Sequence, residues 1–242
     1  MNRTKLAIPI RIVPMNQSFC PSVLLTAIFL SLTLAFIPAA GAAEPASITF
    51  SLDFPNSDPE HYVISVQSDG KAQYECRGRI SQDSNETENY TTEFTFSDAT
   101  RVHIFDLAAQ AHHFSGKIDT GNKKLAFTGA KKLVYKDGER NSSADYNFSA
   151  LAPVQQITAI FQGVGATLEY GRRLTYFHRY QKLALDDELK GMEDQARRGD
   201  LGELQAVKPV LQEIYEDNSV MNVIRARARR ILDMNPAATS RN

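Results

Sequence analysis

The stretch that decides the fold reads His61-Tyr62-Val63-Ile64-Ser65-Val66-Gln67-Ser68-Asp69-Gly70-Lys71-Ala72-Gln73-Tyr74-Glu75-Cys76. Apolar and polar side chains alternate on both sides of Asp69-Gly70, which is typical of two half-buried strands. An Asp-Gly pair between such strands predicts a hairpin, because glycine supplies the positive φ of a tight turn without steric cost. The stretch therefore predicts an antiparallel sheet.

The same alternation extends the predicted sheet in both directions along the chain. It indicates a strand over 48–52 upstream and another over 90–96 downstream. A second hairpin is expected where Lys136-Asp137-Gly138 separates two further alternating runs. The region up to residue 150 is thus predicted to be built mainly from strands.

One amphipathic helix is predicted within this region, with Ser97 or Asp98 as its cap and Gly116 available for a left-handed stop. At 100° per residue, one arc of this helix is apolar: Ile104, Phe105, Leu107, Ala108 and Ala111. The opposite arc is polar: His103, Asp106, Gln110 and His113. This pattern predicts a helix that packs with its apolar arc on one face of the sheet.

From Pro153 the apolar period changes to that of a helix, so several short-looped helices are predicted over 151–235. Glycines at 163, 165 and 171 indicate two helices or one kinked helix, and a strand over 166–180 remains an alternative. Asp200 is expected to open a later helix that Pro209 kinks or breaks. The predicted fold class is therefore α+β: an antiparallel sheet with one packed helix, followed by a C-terminal helical bundle or hairpin.

The N-terminus has the three parts of a secretory signal peptide. Arg3, Lys5 and Arg11 precede an apolar run over 23–37, and Ala40-Gly41-Ala42 offers small residues for cleavage. An uncleaved anchor is the alternative, although 15 helical residues reach only about 22 Å of a ~30 Å hydrocarbon core. We expect an exported protein, periplasmic or secreted, that meets the membrane only through its signal peptide before cleavage. The predicted organisation is a signal peptide (1–43), an α+β sheet domain (44–150), a helical region (151–235) and a disordered tail (236–242).

Charge and cysteine content narrow the possible functions. The full chain has 27 basic and 28 acidic residues, and removal of the three basic leader residues leaves a net charge of −4. Without a cationic segment, nucleic-acid binding is not expected. Cys76 is the only cysteine outside the leader, so an intramolecular disulfide is excluded. On an alternating strand, Cys76 is predicted to be a small buried side chain rather than a reactive thiol.

The charge of the helical region is segregated along the chain. Residues 167–185 carry +3, 186–217 carry −6 and 218–242 carry +4. This predicts ion pairs between helices that pack side by side. The alternative is a docking surface for an anionic partner, formed by four arginines: Arg225, Arg227, Arg229 and Arg230.

The candidate site residues form two groups. His103, Asp106 and His113 share a helix face, but ten residues separate the two histidines, about 15 Å along the axis, so one ion cannot bind all three. The second group could stack on a ligand ring or a sugar: Tyr170, Arg172, Arg173 and Tyr176. Both are predicted as binding residues, with no catalytic residue, metal or cofactor assigned.

Asp119-Thr120-Gly121 matches the triplet of the aspartic proteases, in which a loop aspartate from each of two lobes shares one proton. The match covers three residues, and the flanking Lys117-Ile118 and Asn122 depart from the protease pattern. A polar turn accounts for the same residues, and it is the interpretation we favour.

The segment from His61 to Val66, the Asp69-Gly70 turn, Tyr74 and the helix ending near His113-Phe114 resemble exported bacterial domains of unknown function. Those domains share an order of strand, Asp-Gly, strand, helix and phenylalanine, and the likeness covers about a third of the chain. The resemblance implies a cell-envelope location and an α+β module. It supplies no catalytic residue to transfer.

Two functions remain as the leading hypotheses, with self-association through an exposed strand edge as a third. The first is a non-catalytic binding module of the cell envelope, with an envelope protein or a glycan as its partner and an oligomeric state that the sequence leaves open. The second is an envelope hydrolase acting on peptide or glycan, with carboxylates or histidines assembled from both halves of the chain. Convergence of titratable side chains in one cleft would favour the hydrolase, whereas an apolar groove or an exposed sheet edge would favour binding.

Overall fold

A computed structural model describes residues 44–80, 87–122 and 124–234 of the chain. The predicted signal peptide and the predicted C-terminal tail lie outside these residues. The described residues belong to one compact unit. Among their helices, none has both the length and the apolar character that crossing a membrane requires.

The fold is α+β, as predicted. The strands are β1 Ser47–Asp53, β2 His61–Gln67, β3 Lys71–Arg79, β4 Thr87–Thr95, β5 Ala130–Lys136 and β6 Asn141–Tyr146. The helices are α1 Asp98–Gln110, α2 Ala152–Tyr180, α3 Leu185–Arg198, α4 Lys208–Glu216 and α5 Asn222–Leu232. Short 3₁₀ turns at His112–Phe114, Lys182–Ala184 and Leu204–Val207 connect several of them.

The six strands form one antiparallel sheet in the order β4-β3-β2-β1-β5-β6. Phe50 on the central strand β1 lies opposite Ile64 on β2 and Leu133 on β5. All three side chains are fully buried, because the period of two directs every second residue to the same face. Both predicted hairpins are present, β2–β3 and β5–β6.

The turn of the first hairpin depends on Gly70, which has φ = 93° and donates its N–H to the Gln67 carbonyl. We expect Gly70→Val to lower the unfolding free energy by about 1–3 kcal/mol, because a β-branched residue is strained at this φ. Urea unfolding measures the loss. Gly138 in the second turn is the control, since a Cβ added there would meet nothing within 4 Å and its φ is not positive. Equal losses at both glycines would contradict the assignment of the first turn.

Helix α1 begins where the sequence predicts, with Ser97 as its N-cap, but it ends at Gln110 rather than near Gly116. The chain instead turns sharply through three non-glycine residues with positive φ: His112, His113 and Phe114. This turn brings the fully buried Phe114 into the core, which accounts for the early end of the helix.

The left-handed turn predicts that a glycine there stabilises the protein. His112 is exposed and has φ = 50°, a conformation that costs an L-residue roughly 1–2 kcal/mol. His112→Gly is therefore expected to raise the unfolding free energy by about 1 kcal/mol in thermal unfolding. The same change at His103, exposed within α1, is expected to lower it, because glycine weakens a helix interior. A loss at both positions would contradict the turn geometry.

Helix α2 is a single 29-residue helix, so the predicted division into two helices and the alternative strand over 166–180 are both wrong. Its glycines serve close packing instead. A Cβ on Gly163 would lie 2.9 Å from the Asp200 carbonyl oxygen, and one on Gly171 would lie 2.5 Å from the Val207 side chain. Glycine is accepted here because these neighbours leave no room for a side chain.

Two further boundaries differ from the predictions. Asp200 precedes three residues without regular secondary structure rather than a helix, and the next regular element is the 3₁₀ turn at Leu204–Val207. Pro209 does not kink a helix, because it lies in the first turn of α4, where its missing N–H is no loss.

The described core forms two clusters that share α2. In the first, the predicted helix α1 packs on one face of the sheet, and the N-terminal half of α2, the first helix of the helical region, joins the same cluster. In the second, the C-terminal half of α2 packs with α3, α4 and α5. Helix α2 thereby joins the sheet to the helical region.

Candidate functional site

The first predicted group of site residues is spread over α1 and the turn that follows it. His103 and Asp106 are exposed on α1, and the His113 ring packs 4.4 Å from that of Tyr135 on β5. Throughout the described ranges, no three histidine, cysteine or carboxylate side chains lie close enough together to hold a metal ion.

The second group is only partly brought together. Helix α2 carries Tyr170 and Arg173 to a region between the sheet and α3, whereas Arg172 does not line this region and is buried beside Glu169. Tyr176 lies instead in the second core cluster, where its ring is 5.8 Å from Phe177 and 5.1 Å from Tyr180. Two of the four predicted residues, Tyr170 and Arg173, therefore line the same region, with the Arg173 guanidinium 5.1 Å from the centre of the Tyr170 ring.

A cleft of about 300 Å³ lies where the β1–β2 loop faces α2 and α3. Its aromatic lining consists of Phe54, Tyr62, Tyr74 and Tyr170. Its polar lining consists of Ser57, Asp58, Gln162, Glu169, Arg173 and Gln195. A second, wider depression of about 590 Å³ shares Asp58, Tyr170 and Arg173 with this cleft.

Glu169, only 4% exposed, is the centre of the polar network at the base of this cleft. Its Oε1 accepts a hydrogen bond from the Tyr74 hydroxyl at 2.5 Å and one from the Cys76 thiol at 3.1 Å. Its Oε2 accepts from Arg172 Nη2 at 2.9 Å and Nε at 3.2 Å. The carboxylate thus ties β3 to α2 and uses both of its oxygens inside the protein.

Burial and the neighbouring carboxylate keep the two donors protonated. Both effects raise the pKa of the Tyr74 hydroxyl far above its ordinary value, with burial the larger. The same causes raise the pKa of the Cys76 thiol to about 12. Because only the thiolate is a strong nucleophile, Cys76 serves here as a buried hydrogen-bond donor.

Two arginines at the site form ion pairs with carboxylates of the protein. Arg172 is buried, pairs with Glu169, and also donates to the Arg79 backbone carbonyl at 2.8 Å. Arg173 is partly exposed and donates to Glu188 on α3 at 2.7 Å. Each arginine therefore already has a carboxylate partner within the protein.

The polar groups that remain for a ligand are mostly uncharged. Gln195 Nε2 donates to the Tyr170 hydroxyl at 2.8 Å, so the Tyr170 proton is available to another acceptor. Gln162 adds an amide on the α2 side of the cleft. The arrangement can bind and orient a ligand through hydrogen bonds and aromatic contacts.

The Asp-Thr-Gly triplet is a structural turn and not half of a protease site. Asp119 Oδ2 accepts the backbone N–H groups of Asn147, at 2.7 Å, and Phe148, and Oδ1 accepts that of Gly121. These backbone donors lower the pKa of Asp119, which remains ionised. Its oxygens are occupied in holding the loop against the end of β6.

The oppositely charged segments of the helical region form ion pairs between helices, as predicted. Glu193 on α3 pairs with Arg227 at 3.0 Å and Arg230 at 2.8 Å, both on α5. The other two α5 arginines also have partners: Arg229 pairs with Asp233 at 2.9 Å, and Arg225 donates to the Tyr215 carbonyl. These contacts support intramolecular pairing over an anionic docking surface.

A further ionic contact at the end of α2 predicts a pH dependence. Asp217 accepts hydrogen bonds from Lys182 Nζ at 2.6 Å and from the hydroxyl and backbone N–H of Ser219, and it also contacts His178 Nε2. These partners, Lys182 first, hold the pKa of Asp217 well below its ordinary 3.8. A lowered folded-state pKa gives stability that is complete above the unfolded value and is lost as the pH falls below it. Urea unfolding should therefore show that Asp217→Asn lowers the unfolding free energy most at neutral pH. The difference from the wild-type protein should shrink below about pH 4. A cost that stays constant from pH 7 to pH 2 would contradict this role.

Sequence reasoning missed Glu169, the residue on which the site is built. The available signal was one acidic side chain between Leu168 and Tyr170 in an otherwise apolar helical stripe, three residues before Arg172. A carboxylate and an arginine at this spacing lie on the same helix face. Comparison of the chain with known protein families finds no match, and comparison with curated proteins finds none either.

Proposed function

We propose that this chain is an exported, non-catalytic protein of the cell envelope that binds a ligand in the cleft between the sheet and helices α2 and α3. The observation that carries the proposal is the cleft itself, which combines an aromatic lining with amide and hydroxyl groups. Concave sites of this size and composition are typical of ligand binding.

The chemistry of the polar groups supports binding rather than catalysis. A general acid or base needs an oxygen that can exchange a proton with the substrate, whereas both oxygens of Glu169 already accept hydrogen bonds from buried donors. A nucleophile needs activation, whereas the pKa of Cys76 is raised.

An envelope hydrolase is the second candidate, because Asp58 and Glu169 both line the cleft. Glycoside hydrolysis uses such a carboxylate pair, and convergence of titratable groups is the feature that this alternative predicts. Asp58, however, also has an internal role, since its Oδ1 accepts the Arg79 backbone N–H at 3.0 Å.

Affinity capture from an envelope extract can separate the two functions. The wild-type protein is expected to retain an extract component that elutes chemically unchanged, and Phe54→Ala with Arg173→Ala should retain less of it. Tyr180→Ala is the matched control, because Tyr180 is an exposed aromatic residue at the C-terminal end of α2 and does not line the cleft. Elution of a shortened product, lost on Asp58→Asn, would establish the hydrolase instead.

Export is tested separately, because this part of the proposal rests on the predicted signal peptide. We expect the protein isolated from the envelope fraction to begin at Ala43 or Glu44, directly after the small residues of the leader. Recovery with residues 1–43 still attached would contradict cleavage.

A further inference from the structure

The cleft opens onto an exposed aromatic platform formed by Phe54 and Phe127. Their rings pack edge to face with centroids 6.0 Å apart, and the two side chains are 37% and 56% exposed. Phe54 also lines the cleft, so the platform continues the aromatic wall outward. Exposed aromatic rings of this kind offer flat apolar faces to a ligand that extends beyond the cleft.

The charged groups of the cleft are already matched within the protein. Glu169 pairs with Arg172, Arg173 pairs with Glu188, and Asp58 accepts a backbone N–H. A charged ligand would have to compete with these internal partners and pay for desolvation of its own charge. The cleft is therefore suited to an uncharged ligand.

The remaining hydrogen-bonding groups suit a ligand that carries many hydroxyls. Gln162 and Gln195 each present an amide, which can donate and accept, and the Tyr170 hydroxyl can donate. The vicinal hydroxyls of a sugar can both donate hydrogen bonds to such groups and accept hydrogen bonds from them. The apolar C–H face of a sugar ring, in turn, packs against an aromatic side chain.

From these observations we infer that the cleft binds an uncharged saccharide, with one sugar unit among Gln162, Tyr170 and Gln195 and the next unit on the Phe54–Phe127 platform. The inference rests on the proposed binding function and specifies its ligand class. The volume of about 300 Å³ accommodates a short saccharide segment, and the platform accommodates its continuation.

The test is titration calorimetry and saturation-transfer NMR on the purified protein with defined probes. Neutral probes are chitotetraose, cellotetraose and maltotetraose; charged probes are tetragalacturonate and the chitosan tetramer; tetra-alanine represents a peptide. We expect at least one neutral tetrasaccharide to bind at millimolar or lower concentration. The charged probes and the peptide are expected to bind at least tenfold more weakly.

Variants locate the binding in the cleft. Phe54→Ala should lower the affinity for the neutral saccharide at least tenfold, because it removes part of the platform. Gln162→Ala should lower this affinity several-fold. Tyr180→Ala should leave the affinity unchanged, and thermal unfolding should show that all three variants fold. Loss of platform contacts should also reduce the preference for a tetrasaccharide over the corresponding disaccharide.

The outcomes distinguish this inference from the proposed function. If only a charged probe or the peptide binds, and Phe54→Ala abolishes that binding, the saccharide inference is overturned while the binding function stands. If no probe binds and the captured envelope component is unaffected by the cleft variants, both fail. Saccharide binding that Phe54→Ala and Gln162→Ala leave unchanged would overturn the assignment of this cleft.

Discussion

Replacement of Arg172 with methionine is expected to lower the unfolding free energy by about 3–5 kcal/mol, the usual cost of breaking a buried ion pair. Arg172 is 3% exposed and Glu169 is 4% exposed, so the variant removes the closer of the two cations beside a buried carboxylate and leaves only Arg173 Nη1, 3.7 Å away. The variant also removes the hydrogen bond from Arg172 to the Arg79 carbonyl. Urea unfolding followed by circular dichroism measures the loss.

Two further variants show whether the ion pair is the cause. Arg173→Met removes an arginine that is partly exposed and lies farther from the same carboxylate, 3.7 Å against 2.9 Å, so it should cost clearly less than Arg172→Met. Adding Glu169→Gln to Arg172→Met should restore part of the stability, because the amide oxygen still accepts from Tyr74 and Cys76 but is uncharged. A double variant less stable than Arg172→Met alone would show that the buried charge is not what destabilises it.

The strands were predictable because their period of two is local and nearly unbroken. The pattern over 61–76 is enough to place β2, the Asp69-Gly70 turn and β3, and the observed register pairs Ile64 with Tyr74 as that hairpin requires. The boundaries of the helices were less predictable. Whether glycines divide a helix also depends on partners distant in sequence: within α2, the carbonyl of Asp200 lies beside Gly163 and the side chain of Val207 beside Gly171.

The site was harder to predict than the fold because its centre is a tertiary contact. Tyr74 and Glu169 are 95 residues apart in the chain, and no local pattern indicates that they share a hydrogen bond. The same holds for Glu203, which accepts from the Ser97 backbone N–H at 2.7 Å and so supports the start of α1 from the helical region. Buried polar residues are placed by the partners that satisfy them, and a single sequence does not show those partners.

Lys131 on strand β5 is another buried polar residue that the sequence pattern does not predict. It occupies an inward position of β5 and is 5% exposed, although alternation alone would place an apolar residue there. Its ammonium donates to the carbonyls of Thr128, Gly129 and Asn147, which are 3.0, 3.2 and 3.1 Å away. Burial of the Lys131 ammonium is tolerated because backbone oxygens of two adjoining loops replace the water molecules that would otherwise hydrate it.

Phe161→Ala is expected to cost about 3–5 kcal/mol, the typical effect of emptying a large buried aromatic site. Phe161 lies on α2 and is fully buried. Its ring stacks on Phe50 of the central strand at 5.4 Å and meets Phe96 edge-on at 6.2 Å. The variant therefore removes aromatic pairs as well as apolar area, and these contacts are those that join the helical region to the sheet.

Phe105→Ala on α1 is the matched comparison, since it deletes the same atoms from the other helix that covers the sheet. The helical pattern alone predicts a similar loss at this position, but Phe105 is only half-buried, and the fully buried Ile104 beside it makes the central contact. We therefore expect Phe105→Ala to cost about 1–2 kcal/mol, less than half as much as Phe161→Ala, in urea unfolding at constant m. Equal losses would mean that α1 and α2 cover the sheet equally. A loss below about 1 kcal/mol at Phe161 would contradict the packing of α2 on β1, because burial of this extent cannot be removed at so small a cost.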